Sequence, residues 1–495
     1  MAEHSDAYAE IPYVSCSYPQ SHPDHLAVVG TLFGMQPRGL DGARVLEIGC
    51  AGGGNLLPMA AALPRSRFMG IDLSPGHIRE AMEGVTALKL DNVKLQCLRL
   101  EEVGRSLGTF DYIIAHGVYS WVAAPVREDL MALCSRLLNP MGIAYISFNA
   151  LPGSSTRTAL RQMTAYHTRH VSAPREKVAA AREFFRFLEL ALKDRDDPYA
   201  KGMYAELRQI AVLGDFYIAH ELLEPINEPC YLHEFMDHAG KHGLQFLAES
   251  EIQSMSAVGI PTSVRAGLRD LASNVVEAEQ YADFICDRAF RQTLLCRSEA
   301  ILKRGIPPQV VQQFFIGSAM EPVITSPDVG DREGEPGPVR FRDADGLEIT
   351  VNDPLTLAAL MELRAIHPAM LTFPELLKRA SASSGTPSSP AAAAVLAKSL
   401  LTCYSSSRSV RFHLQPPAFQ TAVSAFPVAS PMARWQACRG PRVTNLRHEN
   451  VHLRTPEKEL LLKLDGSCSL SLIETSPGHG RAMLDYFART ALLVS

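Results

Sequence analysis

The sequence predicts an α/β protein in which a parallel sheet wrapped by helices precedes a mostly helical middle region and a smaller C-terminal α/β unit. Short apolar runs alternate with helical patterns over residues 42–150, and helical spacing dominates from about residue 199 to residue 315. A segment rich in proline, glycine and acid then precedes the C-terminal unit. The length of 495 residues is enough for several such units.

The first region reads as alternating strands and helices. In chain order, its strand patterns are ARVLEIG, SRFMGIDL, NVKLQCLRL, FDYIIAHG and IAYISFN, and its helical patterns are NLLPMAAAL, PGHIREAMEGVTAL and a stretch near residues 126–138. This alternation is typical of a Rossmann-like parallel sheet. We assign residues 1–165 to this domain, together with an N-terminal lid.

The rest of the chain divides at changes in pattern and composition. Residues 166–217 form a helical linker and possible dimerisation region, 218–318 a middle domain, 319–340 a linker and 341–495 the C-terminal domain, which is winged-helix-like. Residues 174–195 read as one helix with apolar side chains spaced by three and four: Val178, Ala181, Phe185, Leu188 and Leu192. We interpret this stripe as internal packing, with a dimer seam as the alternative.

The C-terminal domain shows a hairpin pattern, FRDADGLEITV, followed by helical patterns over residues 354–366 and 373–380. The serine-, proline- and alanine-rich residues 381–394 read as a loop. Arg447 and His448 lie in VTNLRHE, where a buried hydrogen-bond network within this domain is the first interpretation and contact with a partner the second.

Composition narrows the function classes. The net charge of −5, with no run of Lys or Arg, disfavours a nucleic-acid partner. No stretch approaches the roughly 20 apolar residues that a membrane span needs, and the N-terminus lacks a secretory pattern, so we predict a cytoplasmic protein without membrane insertion. The ten scattered cysteines predict reduced thiols. The three histidines from His220 to His238 fit no compact zinc motif, and we predict no metal site.

The stretch VLEIGCAGGGN, residues 45–55, ends a strand in a glycine-rich turn. Such turns let a ligand approach the backbone closely and present amides at a helix start. Glu47 would repel a pyrophosphate but attract a cationic ligand, and Asp72 ends the next strand, where a carboxylate can accept two ribose hydroxyls. The pair therefore favours S-adenosylmethionine over a nicotinamide dinucleotide.

These features together resemble the class I S-adenosylmethionine-dependent methyltransferases. The match covers roughly residues 40–150 and includes FDYII as a fourth strand and LLNPMGIAYISF as helix, turn and fifth strand. The resemblance implies cofactor contacts from Glu47, Gly49, Cys50, Ala51, Gly53, Asn55, Asp72 and Leu73. Ala51 replaces a usual glycine, and Arg99 stands where many relatives have an acid that contacts adenine, which leaves Glu101, Glu102 or backbone groups for that contact.

A narrower resemblance spans nearly the whole chain. IPYVSCSYPQSHPDHLAVVGTLFGM, NEPCYLHEFMDHAGKHGLQFLAE and ASPMARWQACRGPRVTNLRHE are similar to proteins with a methyltransferase regulatory domain, among them bacterial lysine methyltransferases that act on outer-membrane proteins. The resemblance implies protein lysine N-methylation of a protein or peptide substrate, in a possible homodimer. The alternatives are methylation of a peptide or small natural product, and a non-catalytic binding adaptor.

Candidate residues for the acceptor side follow the fourth strand, because the carboxyl end of that strand faces the methyl group in this sheet order. His116 is a candidate base or cofactor contact, Tyr119 a candidate for orienting the amine, and Trp121 a candidate channel wall. Each has an alternative as a packed or hydrogen-bonded residue. Asn149, after the fifth strand, faces the acceptor or closes the turn. The segment YPQSHP offers Tyr18, Gln20 and His22 as lid contacts to the cofactor, or as caps of an ordinary turn.

Overall fold

The computed structural model describes residue 11 and residues 15–104, 107–255, 262–323, 338–474 and 480–494. The strands are β1 (Arg44–Ile48), β2 (Arg67–Asp72), β3 (Val93–Cys97), β4 (Phe110–Ala115), β5 (Leu138–Asn149), β6 (Leu244–Glu249), β7 (Phe290–Arg297), β8 (Phe315–Ser318), β9 (Glu321–Pro322), β10 (Val339–Arg342), β11 (Glu348–Val351), β12 (Leu371–Thr372), β13 (Val410–His413), β14 (Arg442–Thr444) and β15 (Asn450–His452).

Helices surround these strands and connect the regions. They are α1 (Pro23–Leu32), α2 (Leu56–Ala62), α3 (Pro75–Leu88), α4 (Ala124–Leu137), α5 (Ser155–His167), α6 (Pro174–Leu192), α7 (Pro198–Ala211), α8 (Leu232–Lys241), α9 (Thr262–Leu271), α10 (Val275–Cys286), α11 (Pro354–Ile366), α12 (Phe373–Ser384), α13 (Pro390–Ser406), α14 (Pro431–Ala437), α15 (Thr455–Lys463), α16 (Leu470–Glu474) and α17 (Gly480–Arg489). Within the described ranges, no helix is both long and apolar enough to span a membrane.

A seven-stranded sheet forms the centre of the first region, in the order β3-β2-β1-β4-β5-β7-β6. Strands β1 to β5 are parallel, and β7 runs antiparallel to both β5 and β6. The chain order reverses between β1 and β4, and ligands of open α/β sheets bind outside the carboxyl ends of strands at such a point. The predicted Rossmann-like sheet is confirmed, and its ligand crevice lies beyond Ile48 and Ala115.

Two strands of this sheet come from the middle region. That region is mostly helical, as predicted, but the prediction missed β6 and β7. Strand β7 pairs with β5 through Ala144 and Leu295, and then with β6 through Phe246. These pairings are between residues far apart in the chain, so local periodicity gives little sign of them. The middle region therefore shares one sheet with the first region.

The apolar stripe of α6 packs inside the protein. Val178, Ala181, Phe185 and Leu192 are buried with residues of α5 and α7, and Leu188 packs against them. This agrees with the first interpretation of the stripe. The opposite side of the same helix carries Phe187, which is 64% exposed, and Leu190, which is 68% exposed.

The C-terminal region contains the predicted hairpin, formed by β10 and β11, and the predicted helix α11. The prediction of a loop over residues 381–394 is wrong for most of its length. Helix α12 continues to Ser384, and α13 begins at Pro390 with its first turn capped by the Ser389 hydroxyl. Of the predicted linker, residues 321–322 form β9, which pairs with β10, and residues 324–337 lie outside the described residues.

Candidate active site

The glycine-rich turn between β1 and α2 is held against the end of β2. Gly49 has a φ of 69°, and its N–H donates to the Ile71 carbonyl at 2.8 Å. A Cβ at Gly49 would lie 2.9 Å from Cγ2 of Val118, so both the backbone angle and the space require glycine. Ala51 also has a positive φ, 46°, and its N–H donates to Oδ2 of Asp72 at 2.9 Å. The turn thus presents its backbone beside the two acids.

Glu47 is a buried carboxylate beneath this turn. Its Oε1 accepts a hydrogen bond from Nδ2 of Asn55 at 2.7 Å, whereas its buried Oε2 has no hydrogen bond from any residue that the structure describes. Burial raises the pKa of Glu47 to about 8, the Asn55 amide opposes the rise, and the charge of Asp72 adds to it. An unsatisfied buried carboxylate oxygen is costly, and an ammonium or other cationic donor would satisfy it.

Asp72 ends β2 and holds the turn from the other side. Its Oδ1 accepts from the Ser74 N–H at 2.8 Å and lies 3.4 Å from Nδ1 of His77. Burial acts to raise the pKa of Asp72, but hydrogen bonds from His77, Ser74 and Ala51 outweigh it and hold the pKa below its usual value. Leu73, the next residue, is 65% exposed. Asp72 is therefore an ionised acceptor at the edge of the crevice.

The N-terminal segment before α1 covers the glycine turn. The Tyr18 N–H donates to Oδ1 of Asn55 at 2.9 Å, and the Gly54 N–H donates to the Ser15 hydroxyl at 2.8 Å. A Cβ at Gly54 would lie 2.5 Å from the Ser15 backbone, so the approach of the segment needs glycine there. The Tyr18 ring stacks on His116 with ring centroids 3.6 Å apart. The structure thus brings the N-terminal segment to the crevice.

Gln20 and His22, from the same segment, have structural contacts. The Gln20 carbonyl accepts a hydrogen bond from the Ser250 hydroxyl. Nδ1 of His22 accepts from the Asp24 N–H at 3.2 Å and so caps α1, which matches the alternative reading of this residue. Burial lowers the pKa of His22 to about 4, so its imidazole is neutral at pH 7.

His116 follows β4 at the carboxyl edge of the sheet. Its Nδ1 lies 2.9 Å from the hydroxyl of Tyr145 on β5, and its ring contacts Tyr18 on one side and Phe290 edge-on. Burial lowers the pKa of His116 to about 4. The imidazole is therefore neutral at pH 7 and is held among aromatic rings. It lies at the carboxyl end of β4, where the sequence predicts the acceptor.

Tyr119 and Asn149 contact the middle region instead, and Trp121 contacts helix α5. The Tyr119 hydroxyl lies 2.9 Å from Nδ1 of His238, and its ring packs edge-on against Phe235. The ring of Trp121 lies under the Arg161 guanidinium, with 5.4 Å between carbon and centroid. Nδ2 of Asn149 donates to Asn227 at 2.9 Å. For Tyr119 and Trp121 these contacts match the packed or hydrogen-bonded alternatives, whereas the Asn149 side chain is bonded to a distant residue of the middle region.

A residue of the C-terminal domain reaches the crevice. His448 is buried, has a φ of 62°, and places Nε2 2.7 Å from Oδ1 of Asn55. Burial, with a smaller contribution from His22, lowers the pKa of His448 well below its usual value. The sequence singled out His448 only as part of a network within its own domain or as a partner contact. The contact with Asn55 spans 393 positions in the chain, so no local pattern signals it.

The same domain closes one side of the glycine turn. The Asn450 amide donates to the Ser17 carbonyl at 2.8 Å, and the Ser17 hydroxyl donates back to Asn450 Oδ1 at 3.1 Å. A cavity of about 280 Å³ lies between the turn, α3 and the C-terminal domain, with Gly52, Glu80, Trp435 and Arg442 in its wall. Three separate parts of the chain therefore meet at the turn.

Three known domain families match segments of the chain. A methyltransferase domain matches residues 45–142, a domain described as a predicted methyltransferase regulatory domain matches residues 214–297, and a PKMT C-terminal winged helix domain matches residues 426–473. The first match covers most of the parallel part of the sheet, the second includes the two strands β6 and β7, and the third lies in the C-terminal domain.

Related proteins extend these matches. One uncharacterized protein of Rickettsia prowazekii is 39% identical over 64% of this chain and 57% of its own length, so the chain spans a little over half of that relative. A second is 35% identical over 49% of this chain and 96% of its own length. The structure of PKMT2 from Rickettsia typhi, solved alone and in complex with AdoHcy, is 28% identical, with a TM-score of 0.86 over 98% of this chain and 100% of that chain.

Proposed function

Because the chain belongs to the S-adenosylmethionine-dependent methyltransferases that carry a regulatory domain and a PKMT winged helix domain, we propose that it methylates lysine side chains of proteins. The similarity to PKMT2 from Rickettsia typhi supports the proposal, since it covers 98% of this chain. The acceptor is then a protein or peptide, and the small-molecule alternative has no such support.

The single observation that carries the proposed cofactor contacts is the buried Glu47 carboxylate with one oxygen unsatisfied. When bound, S-adenosylmethionine supplies an electrophilic methyl group on a positively charged sulfur, along with an ammonium group. Glu47 accepts a hydrogen bond from that ammonium, Asp72 accepts from the ribose hydroxyls, and the backbone from Gly49 to Gly53 allows close approach. PKMT2 from Rickettsia typhi has been solved with AdoHcy, which supports this assignment.

His116 positions the acceptor rather than removing its proton. A lysine ammonium has a pKa of about 10.4 in water, and each pKa unit corresponds to about 1.36 kcal/mol. Moving its proton to an imidazole whose pKa is about 4 would cost about 9 kcal/mol. Release of the proton to bulk solution at pH 7 costs less, about 5 kcal/mol. We therefore assign the stacked Tyr18 and His116 rings to walls that favour the neutral amine and align it.

We further propose that the enzyme acts in the cytoplasm as a homodimer. All ten cysteines are free, which supports a reducing compartment. For the dimer, the support is the exposed apolar side of α6 with Phe187 and Leu190, together with Val212 after α7, which is 84% exposed.

Calorimetric titration with AdoHcy tests the cofactor site. Asp72→Ala removes the ionised acceptor and the partner of the Ala51 N–H, so we expect affinity to fall about 100-fold, in keeping with about 1.5–3 kcal/mol for a hydrogen bond to a charged group. Asp91→Ala, an exposed acid beyond α3, is the control and should bind like the wild type. Equal affinity in both variants would contradict the proposed site.

Labelling of a cell lysate with radioactive S-adenosylmethionine tests the acceptor. We expect the label in protein, released as methylated lysine on hydrolysis, and expect Asp72→Ala to abolish it. Label found only in small molecules would overturn the protein lysine assignment while leaving the cofactor site intact.

A further inference from the structure

A cluster of two histidines and one glutamate lies between the first and middle regions. Nε2 of His238 lies 3.0 Å from Oε2 of Glu128, and Nε2 of His242 lies 2.9 Å from Oε1 of the same carboxylate. Among the residues that the structure describes, this is the one group of at least three His, Cys, Asp or Glu side chains whose donor atoms all lie within 4.8 Å. From this convergence we propose a divalent transition-metal site, with Zn²⁺ as its natural occupant.

The backbone places the three donors without rearrangement. His238 lies on α8 and His242 follows its end, so a spacing of four residues puts both imidazoles on one face. Glu128 lies in the first half of α4, which faces them. Donor atoms around tetrahedral zinc, with bonds of about 2.0–2.2 Å, lie about 3.3 Å apart. The two histidine–carboxylate separations, 3.0 and 2.9 Å, need to widen by only a few tenths of an ångström to admit the ion.

The hydrogen bonds around the cluster are compatible with metal ligation. Nε2 of His242 is buried and has no hydrogen bond of acceptable geometry in the described part of the chain, although it lies against Glu128. On the other side of His238, Nδ1 lies 2.9 Å from the Tyr119 hydroxyl. A proton on Nδ1 donated to this hydroxyl leaves the lone pair of Nε2 free for a metal, as is usual for ligating histidines.

The donor set selects the class of ion. Two imidazoles and one carboxylate suit Zn²⁺, and they disfavour Ca²⁺ and Mg²⁺, which prefer oxygen ligands. The Glu128 side chain is 61% exposed, so water can complete the coordination from the solvent side. Binding joins α4 to α8. Through Tyr119, the site also fixes the segment that follows β4.

Zinc affinity of the full chain, purified without a histidine tag and titrated against a chromophoric chelator, tests the proposal. We expect one equivalent of Zn²⁺ to bind. Glu128→Gln, on an exposed side chain, and the double variant His238→Ala/His242→Ala should each weaken that binding at least about 100-fold. Tyr119→Phe, which keeps all three ligands, should weaken it about 10-fold to 100-fold, the range found for partners of metal ligands.

Matched controls separate this site from adventitious binding. His233→Ala on α8 and Asp129→Asn on α4 should retain wild-type affinity, because neither residue belongs to the cluster. Zn²⁺ should raise the thermal midpoint of the wild type but not that of Glu128→Gln. If the wild type takes up no stoichiometric zinc, or if the ligand variants bind as the wild type does, the site is a pair of ion pairs and the proposal is overturned. Neither result bears on the cofactor site.

Discussion

Nε2 of His448 lies 2.7 Å from Oδ1 of Asn55, and this contact joins the C-terminal domain to the glycine turn. The same Asn55 oxygen accepts from the Tyr18 N–H, and its amide nitrogen donates to Glu47. One side chain therefore connects the lid segment, the buried acid and the C-terminal domain. Any group that binds at Glu47 is sensitive to how Asn55 is oriented.

We expect His448→Ala to weaken cofactor binding about fivefold. The substitution removes one hydrogen bond to the Asn55 carbonyl, worth about 1 kcal/mol, and frees the amide to turn away from Glu47. Calorimetry with AdoHcy gives the affinity directly. Glu459→Ala, exposed on α15 of the same domain, serves as the control. Unchanged affinity in His448→Ala would mean that the contact only holds the domains together.

The affinity for S-adenosylmethionine should rise with pH. Burial raises the pKa of Glu47 to about 8 in the ligand-free protein, so at lower pH the carboxyl carries a proton that must leave when a cation binds beside it. One such proton predicts an affinity gain of about tenfold per pH unit between about pH 5.5 and 7.5. Titrations across this range measure the slope. A flat profile for the wild type would contradict the role of Glu47.

Two variants check the origin of that slope. Glu47→Gln has no proton to lose and should bind weakly with no slope. Asp72→Asn should bind weakly but keep a slope, because Asp72 is itself ionised throughout the range; the slope should end at a lower pH, since the charge of Asp72 contributes to the raised pKa of Glu47. In the ligand-free protein, the folded state holds the Glu47 proton up to about pH 8, whereas the unfolded chain releases it near pH 4.5. The stability that Glu47 provides at acid pH is therefore lost as the pH rises to 8.

The glycine turn tolerates one substitution and rejects another. Ala51 has a left-handed backbone, which costs an alanine about 1–2 kcal/mol and a glycine almost nothing. Because glycine also loses more backbone entropy on folding, about 0.5–1 kcal/mol, we expect Ala51→Gly to raise the stability only slightly. Gly49→Ala should cost at least about 1 kcal/mol, because the new Cβ meets Val118 at a backbone angle unsuited to alanine. Thermal midpoints measure both. The prediction fails if the two variants shift the midpoint in the same direction.

Much of the fold was predictable because its signals are local. Strands β1 to β5 carry compact apolar runs, and the glycines and acids of the cofactor turn lie within residues 47–72. Strands β6 and β7 were missed, since their pairing with β5 is formed across the chain. The contact of His448 with Asn55 and that of Glu128 with His238 were also missed, because each joins residues far apart in the chain. Sequence patterns identify such residue types without showing which distant partners they meet.

Arg291 on β7 neutralises the acids that surround it. We expect the destabilisation caused by replacing it to depend strongly on pH. The fully buried guanidinium donates to Asp283, to Glu249 at 2.6 Å and to Glu279 at 3.2 Å. We expect Arg291→Met to lower the free energy of unfolding by about 3–5 kcal/mol at pH 8, because Glu249 and Glu279 lose their ion-pair partner and Asp283 keeps only Arg288. Urea unfolding measures this loss.

The decrease in the free energy of unfolding caused by Arg291→Met should become smaller as the pH falls to 5.5. Burial already raises the pKa of Glu279 to about 7, and without the arginine the carboxyls take up protons more readily, which removes their unpaired charge. Arg297→Met, on the same strand, is the matched control, since that guanidinium donates only to the Leu138 carbonyl among the contacts described. Its smaller loss should not change with pH. An Arg291→Met loss that is equal at pH 8 and pH 5.5 would show that packing, not charge, is what this arginine provides.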